Sequence, residues 1–170
     1  MPHSRRIAFG GGCHWCTEAV FQHVSGVAHV DQGWASSADE PDRFSEAVVV
    51  HYDAREVGLE HLVRVHLHTH SSTSQHAMRG KYRSAVYGFS DSEMAEARAA
   101  IEKWQAEFER PIVTEVVRMG GFRQNTQRYQ DYYRKNPEAP FCRRWIAPKL
   151  ERVGEFESEK LESRRRDVPS

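Results

Sequence analysis

The spacing of apolar and polar positions changes several times along the chain. "RRIAFGGG" (residues 5–12) is a short apolar run that ends in three glycines, the pattern of a buried strand. "TEAVFQHV" (17–24) sets Ala19, Val20, Phe21 and Val24 on one face at helical spacing, and Ser25–Gly26 ends it. "VAHVDQGWASS" (27–37) opens as a strand and is expected to break up after Gly33; "ADEPDRF" (38–44) reads as a polar loop. "SEAVVVHYD" (45–53) holds three consecutive valines, dense enough for a strand buried on both faces. Between 58 and 70, Leu59, Leu62, Val63, His66 and Leu67 form a helical stripe. A loop at 71–81 leads to a predicted strand, "YRSAVYGF" (82–89). Ser90 and Glu93 make a capping box for a helix whose inner stripe is Met94, Ala97, Ile101, Trp104 and Phe108. "PIVTEVVRM" (111–119) predicts another strand, and 127–140 a helix stopped by Asn136 and Pro137. Residues 154–170 are charged and poor in large apolar side chains, which predicts a mobile tail.

The order strand, helix, strand, strand, helix, strand is that of a split β-α-β unit. It predicts an α+β fold: a two-layer, ferredoxin-like mixed sheet with packed helices. The expected organisation is a single catalytic domain over 1–153, followed by the tail. A chain of 170 residues suits one core of ordinary size. Its 24 basic and 24 acidic residues cancel, so no net field favours nucleic acid or an anionic membrane as a partner. No apolar run approaches the ~18 residues of a membrane span. The first residues lack the apolar core of a signal peptide, so a cytoplasmic protein is expected.

The chemistry concentrates in "GGGCHWCTEAVFQ" (10–22). Cys13 sits between a strand end and a helix start, where free amides and the helix dipole stabilise a thiolate. Cys16 follows one turn later on the same face, within reach of an oxidised Cys13. Glycines before the pair let a ligand approach the backbone. Other readings of the pair are two buried small hydrophobes, half of a zinc site, or a thioredoxin-like redox pair. A zinc site lacks a second half: Cys142 stands alone, and of the "HLHTH" histidines (66–70) His66 and His70 share a helical face while His68 points away. In a reducing compartment three cysteines make no disulfide framework.

The motifs as a set resemble the A-type peptide methionine sulfoxide reductases. "AFGGGCHWCTEAVF" is similar to that family's Gly-Cys-Phe-Trp signature followed by a Glu. "VAHVDQGWASS" resembles its Gly-Tyr-Ala-Gly-Gly segment, and "SEAVVVHYD" its catalytic Glu ahead of a valine-rich strand. "KYRSAVYGF" resembles its Gln-Tyr-Arg-Ser-Ala-Ile segment, and "QDYYRKNPEAPFCRRWIAPKL" its ending. These run in order from about residue 7 to residue 150. The resemblance implies reduction of methionine S-sulfoxide, free or in proteins, without a metal or organic cofactor. Cys13 would be the nucleophile, Glu46 the acid and Tyr82 a hydrogen-bond donor to the sulfoxide oxygen. Cys16 would resolve the sulfenic acid as a disulfide that thioredoxin recycles. Trp15 would cup the substrate methyl group.

The chain also departs from the family pattern. His14 stands where the family has Phe, which makes half of the expected methyl pocket polar. Trp34 replaces a family Tyr and offers one N–H in place of a hydroxyl. In "SQHAMRGK" a family Asp is missing; Ala77 falls near its position and His76 is the nearest polar residue. Cys142 reads as a buried structural thiol. The expected partners are a methionine sulfoxide substrate and thioredoxin, with the protein a monomer. The competing reading is a thiol-disulfide or other sulfur-redox enzyme that uses Cys13 and Cys16 on a different substrate.

Overall fold

A computed structural model describes residues 3–75 and 77–167, without the side chains at 77, 78, 164, 166 and 167. The expectation for His76 therefore lies outside the described residues, and that for the Ala77 side chain with it. Among the described residues five strands build the sheet: β1 (Ser4–Gly10), β2 (Val27–Ser37), β3 (Glu40–Asp53), β4 (Ala85–Gly88) and β5 (Glu115–Gln124). The helices are α1 (His14–Gln22), α2 (Leu59–His68), α3 (Asp91–Trp104), the single turn α4 (Tyr132–Lys135) and α5 (Ala147–Asp167), the last entered through a wide turn at Cys142–Ile146.

The expected mixture of helices and a mixed sheet is present, but the sheet is not an open layer. Its order is β1-β3-β2-β5-β4, and it closes because β4 also pairs with β1. β5 performs the closure. Its first half, Glu115–Arg118, runs parallel to β4, and its second half, Met119–Gln124, runs antiparallel to β2. Neighbour pairing of this range is a tertiary choice that strand propensity does not encode.

Local patterns explain most elements. In β3, Val48, Val49 and Val50 are all buried, as a run flanked by helices on one side and the ring interior on the other requires. Val20 and Phe21 of α1 and the apolar residues of the α2 stripe from Leu59 to Leu67 pack into one core with Ile7 and Phe9, while Ala19 faces a second cluster with Ile146. At α3 the capping box is reciprocal: the Glu93 amide donates to Ser90 Oγ at 3.2 Å, and the Phe89 amide donates to the Glu93 carboxylate at 2.9 Å.

Four expectations need correction. β2 does not break after Gly33 but continues to Ser37. Gly33 is there because a Cβ would lie 2.0 Å from the Arg123 carbonyl oxygen, so the glycine admits β5 rather than ending the strand. Residues 40–44 are the start of β3 in a hairpin, not a loop, with Ser37 opposite Glu40. The helix expected over 127–140 shrinks to α4, because Asp131 has φ 56° and its amide and that of Tyr132 are taken by the Glu18 carboxylate. The segment expected to be a mobile tail from 154 is helical to Asp167, with Val153 and Phe156 in the main core. Leu150 packs against the cluster around Ile146, and the charged residues Glu157 and Glu159 pair with His61 and Arg64 of α2, so a helix with few apolar positions still docks. Among the described residues no helix is long and apolar enough to cross a membrane.

Candidate active site

β1 delivers the chain to Gly11, whose φ of +152° and contact with His70 exclude a side chain: a Cβ would sit 2.4 Å from the imidazole. That imidazole belongs to a stacked pair in which His66 is buried and His70 half-buried. The His66 and His70 rings lie 4.1 Å apart; His66 Nε2 donates to the Gly10 carbonyl at 2.8 Å, and His70 bonds the His66 carbonyl and Ser84 Oγ. Burial pushes the His66 pKa down to about 4 and that of His70 well below its ordinary value, so both are neutral struts for the glycine backbone. The sharing of a face by His66 and His70 was legible in their spacing.

Cys13 follows as the N-cap of α1 and is partly exposed. Its thiol pKa is lowered, first by a hydrogen bond from the Cys16 thiol and then by the Trp15 and Cys16 amides, against the opposing effects of burial and of the Glu46 charge. The same hydrogen bond and burial push the Cys16 thiol up. Cys142 is also raised, by burial and by its proximity to Cys13. Cys13 is thus the thiol that ionises. All three cysteines gather: Cys16 and Cys142 share a buried cluster with Ala19 and Ile146, and Cys13 packs against it. A cleft of about 400 Å³ opens over this cluster, lined by Gly12, Cys13, Cys16, Tyr82, Phe141 and Lys149, with half-exposed Trp145 at its margin.

Glu46, His14 and Trp34 form a second group beside the first. Trp34 of β2 faces Glu46 of β3 across the ladder. The Glu46 carboxylate is buried; the His14 amide donates to its Oε1 at 3.2 Å, and His14 Nε2 lies 3.5 Å from the same oxygen. The other oxygen has Lys81 Nζ at 3.6 Å. Sequence reasoning passed over Lys81, though it directly precedes Tyr82; its ammonium sits 5.1 Å from the Tyr82 ring centroid. His14 is turned inward, with Nδ1 donating to the Gly33 carbonyl at 2.7 Å and its ring edge-on to Trp34 at 5.1 Å. It is not among the residues that line the cleft.

Trp15 stacks on Tyr132 at 4.0 Å and meets Phe141 edge-on at 5.6 Å. Tyr132 and Phe141 are wall residues that the sequence did not single out; the signal was the density of aromatics in 129–141. Their segment is anchored by Glu18 of α1. Its buried carboxylate accepts from Gln32 Nε2 at 2.9 Å, from the Asp131 amide at 2.9 Å and from the Tyr132 amide at 3.3 Å. Desolvation nevertheless raises its pKa.

A family model for peptide methionine sulfoxide reductase matches residues 5–161. The peptide methionine sulfoxide reductase MsrA of Natronomonas pharaonis is 33% identical over 171 residues, covering 91% of this chain and 96% of its own. That of Deinococcus radiodurans is 34% identical over 169 residues, covering 90% and 82%. Among solved structures, reduced Mxr1 from Saccharomyces cerevisiae superposes with a TM-score of 0.72 at 22% identity, over 83% of this chain and 90% of that one. Methionine sulfoxide reductase A of Corynebacterium diphtheriae gives 0.67 at 25% identity, over 81% and 77%. A thiol of lowered pKa at a helix start, a second thiol hydrogen-bonded to it and a buried carboxylate beside it lie here on a fold shared with those structures, and the chain belongs to the peptide methionine sulfoxide reductase family.

Proposed function

We propose that the protein is a peptide-methionine (S)-S-oxide reductase. The observation that carries this reading is the convergence of an ionisable Cys13 with Cys16 and Glu46. The Cys13 thiolate attacks the sulfoxide sulfur. The sulfur–oxygen bond breaks as the oxygen passes to Cys13 and takes a proton from Glu46; the substrate leaves as methionine, reduced by two electrons, and Cys13 is left as a sulfenic acid. Tyr82, in the cleft beside Cys13, donates a hydrogen bond to the oxygen as charge builds there. Trp15, braced by Tyr132, forms a wall for the methyl group, and Trp34 closes the Glu46 side. Cys16 then condenses with the sulfenic acid, releasing water and forming a disulfide.

A dithiol returns the pair to thiol and thiolate by exchange. Yeast Mxr1 has been solved in complex with Trx2, which supports thioredoxin as that dithiol. Cys142 packs against Cys16, which favours a second path in which it takes over the disulfide. No cofactor enters any step. We read the protein as a cytoplasmic monomer, residues 1–153 as its catalytic domain with the rest of α5 docked on it through Phe156, and β4-β1-β3-β2 as a ferredoxin-like unit closed by β5.

The test is dithiothreitol-driven turnover of the S and R epimers of an N-blocked methionine sulfoxide peptide, with Cys13→Ser as control. Consumption of the S epimer alone, abolished in Cys13→Ser, is the expected result. No turnover of either epimer by folded protein that still forms the Cys13–Cys16 disulfide would assign the scaffold to another sulfur substrate.

A further inference from the structure

We propose that His14 is a positioning residue that shares one proton with Glu46, so that the pair, rather than the carboxyl alone, holds the proton received by the sulfoxide oxygen. The inference rests on the reading of Glu46 as the acid. Nδ1 lies 2.7 Å from the Gly33 carbonyl oxygen, which can only accept, so Nδ1 carries the hydrogen. In a neutral ring Nε2 then bears a lone pair, and it faces Glu46 Oε1 at 3.5 Å. An ionised carboxylate against that lone pair would set two acceptors against each other. One proton between them removes the conflict, as a carboxylic acid donating to Nε2 or as an imidazolium facing a carboxylate.

The surroundings hold both partners in place. His14 and Glu46 are 5% and 6% exposed, so water does not solvate either charge alone. The His14 amide donates to the same Oε1, so one residue fixes the carboxyl from both backbone and side chain. Of the titratable groups around the pair, Lys81 faces Oε2 from the loop before β4 and Tyr82 follows it; Cys13 faces from the start of α1. From β2 the neighbour is Trp34, which does not titrate, and Arg123 of β5 is turned to the Phe44 ring at 4.2 Å. Burial lowers the His14 pKa, which keeps the ring neutral and accepting.

The step balances. The shared proton goes to the oxygen as it bonds to Cys13, leaving neutral His14 and ionised Glu46. Reduction of the disulfide later releases Cys13 as thiolate with one proton, which restores the pair.

The test is the pH dependence of single-turnover methionine formation, without reductant, in wild type, His14→Phe, His14→Gln and Glu46→Gln. Glutamine keeps an acceptor but cannot carry the proton. The alkaline limb is expected to fall to lower pH by about one unit in both His14 variants. An unchanged limb in either variant overturns the proposal. Glu46→Gln reports on the underlying reading: a rate lowered about 100-fold upholds Glu46 as the acid, and a full rate overturns that reading and this one together. A measurement independent of folding in the His14 variants is ¹⁵N NMR of imidazole-labelled wild type and Glu46→Gln. His14 is expected as the Nδ1–H tautomer, with a titration that moves when Glu46 is replaced; an identical titration in both proteins overturns the proposal.

Discussion

Glu18→Ala removes the acceptor that ties α1 to the segment carrying Tyr132. Two hydrogen bonds at 2.9 Å are lost, from the Asp131 amide and from Gln32 Nε2, which keeps only its bond to the Tyr129 carbonyl at 2.8 Å; the Tyr132 amide, at 3.3 Å, loses less. Hydrogen bonds to a charged acceptor contribute about 1.5 kcal/mol each at the low end, giving about 3 kcal/mol for the two short ones. Relief of a buried carboxylate offsets part of this, so the net loss is about 2 kcal/mol, roughly thirtyfold in the folding equilibrium. Urea unfolding followed by tryptophan fluorescence reads it, since Trp15 lies on Tyr132 and senses the freed segment. Glu18→Gln adds a sign check. Burial raises the folded pKa of Glu18 above its unfolded value, so its contribution is fully present below the unfolded pKa and is lost as pH rises through the folded one. The stability of wild type relative to Glu18→Gln should therefore grow as pH falls from neutrality. A loss under about 0.5 kcal/mol in Glu18→Ala, with unchanged fluorescence, would refute the anchoring role.

Cys16→Ala removes the thiol that most lowers the Cys13 pKa, so the pH midpoint of Cys13 alkylation should move upward; an unmoved midpoint would assign the activation to the helix amides. The same variant should form about one equivalent of methionine per enzyme and then stall, and full steady-state turnover with thioredoxin would exclude Cys16 as the resolving thiol. Gly33→Ala drives a Cβ into the Arg123 carbonyl and should cost about 3 kcal/mol in thermal or urea unfolding, with weakened β2–β5 amide protection in hydrogen exchange; wild-type stability would mean that β5 yields without cost.

What the sequence made legible was whatever depends on short spacing. The start of α1 at Cys13, the α2 stripe, the Ser90–Glu93 box and the buried valines of β3 each follow from residues within one or two turns or pleats of one another. Gly33 was misread because a glycine's reason can lie in a strand that arrives 90 positions later, at Arg123. The 127–140 segment was misread because its polar spacing fits a helix, while its amides are claimed by Glu18 from another element. α5 was missed because Val153 and Phe156 are few, and what docks them is the core surface they meet. At the site, the nearness of Cys13 and Cys16 follows from their spacing, but the inward turn of His14 and the gathering of Cys142 with Cys16 depend on three-dimensional packing.

The closure by β5 also has a temporal side. As the chain leaves a ribosome, β2 and β4 are complete long before residues 115–124 appear. Until then both carry unpaired backbone edges, the surfaces through which chains add to one another. A single late strand then seals the two edges at once, since its halves pair with β4 and β2 respectively. A lesion in β5 therefore opens two sticky margins rather than one, and such variants should be lost in cells to aggregation before any defect in chemistry is felt.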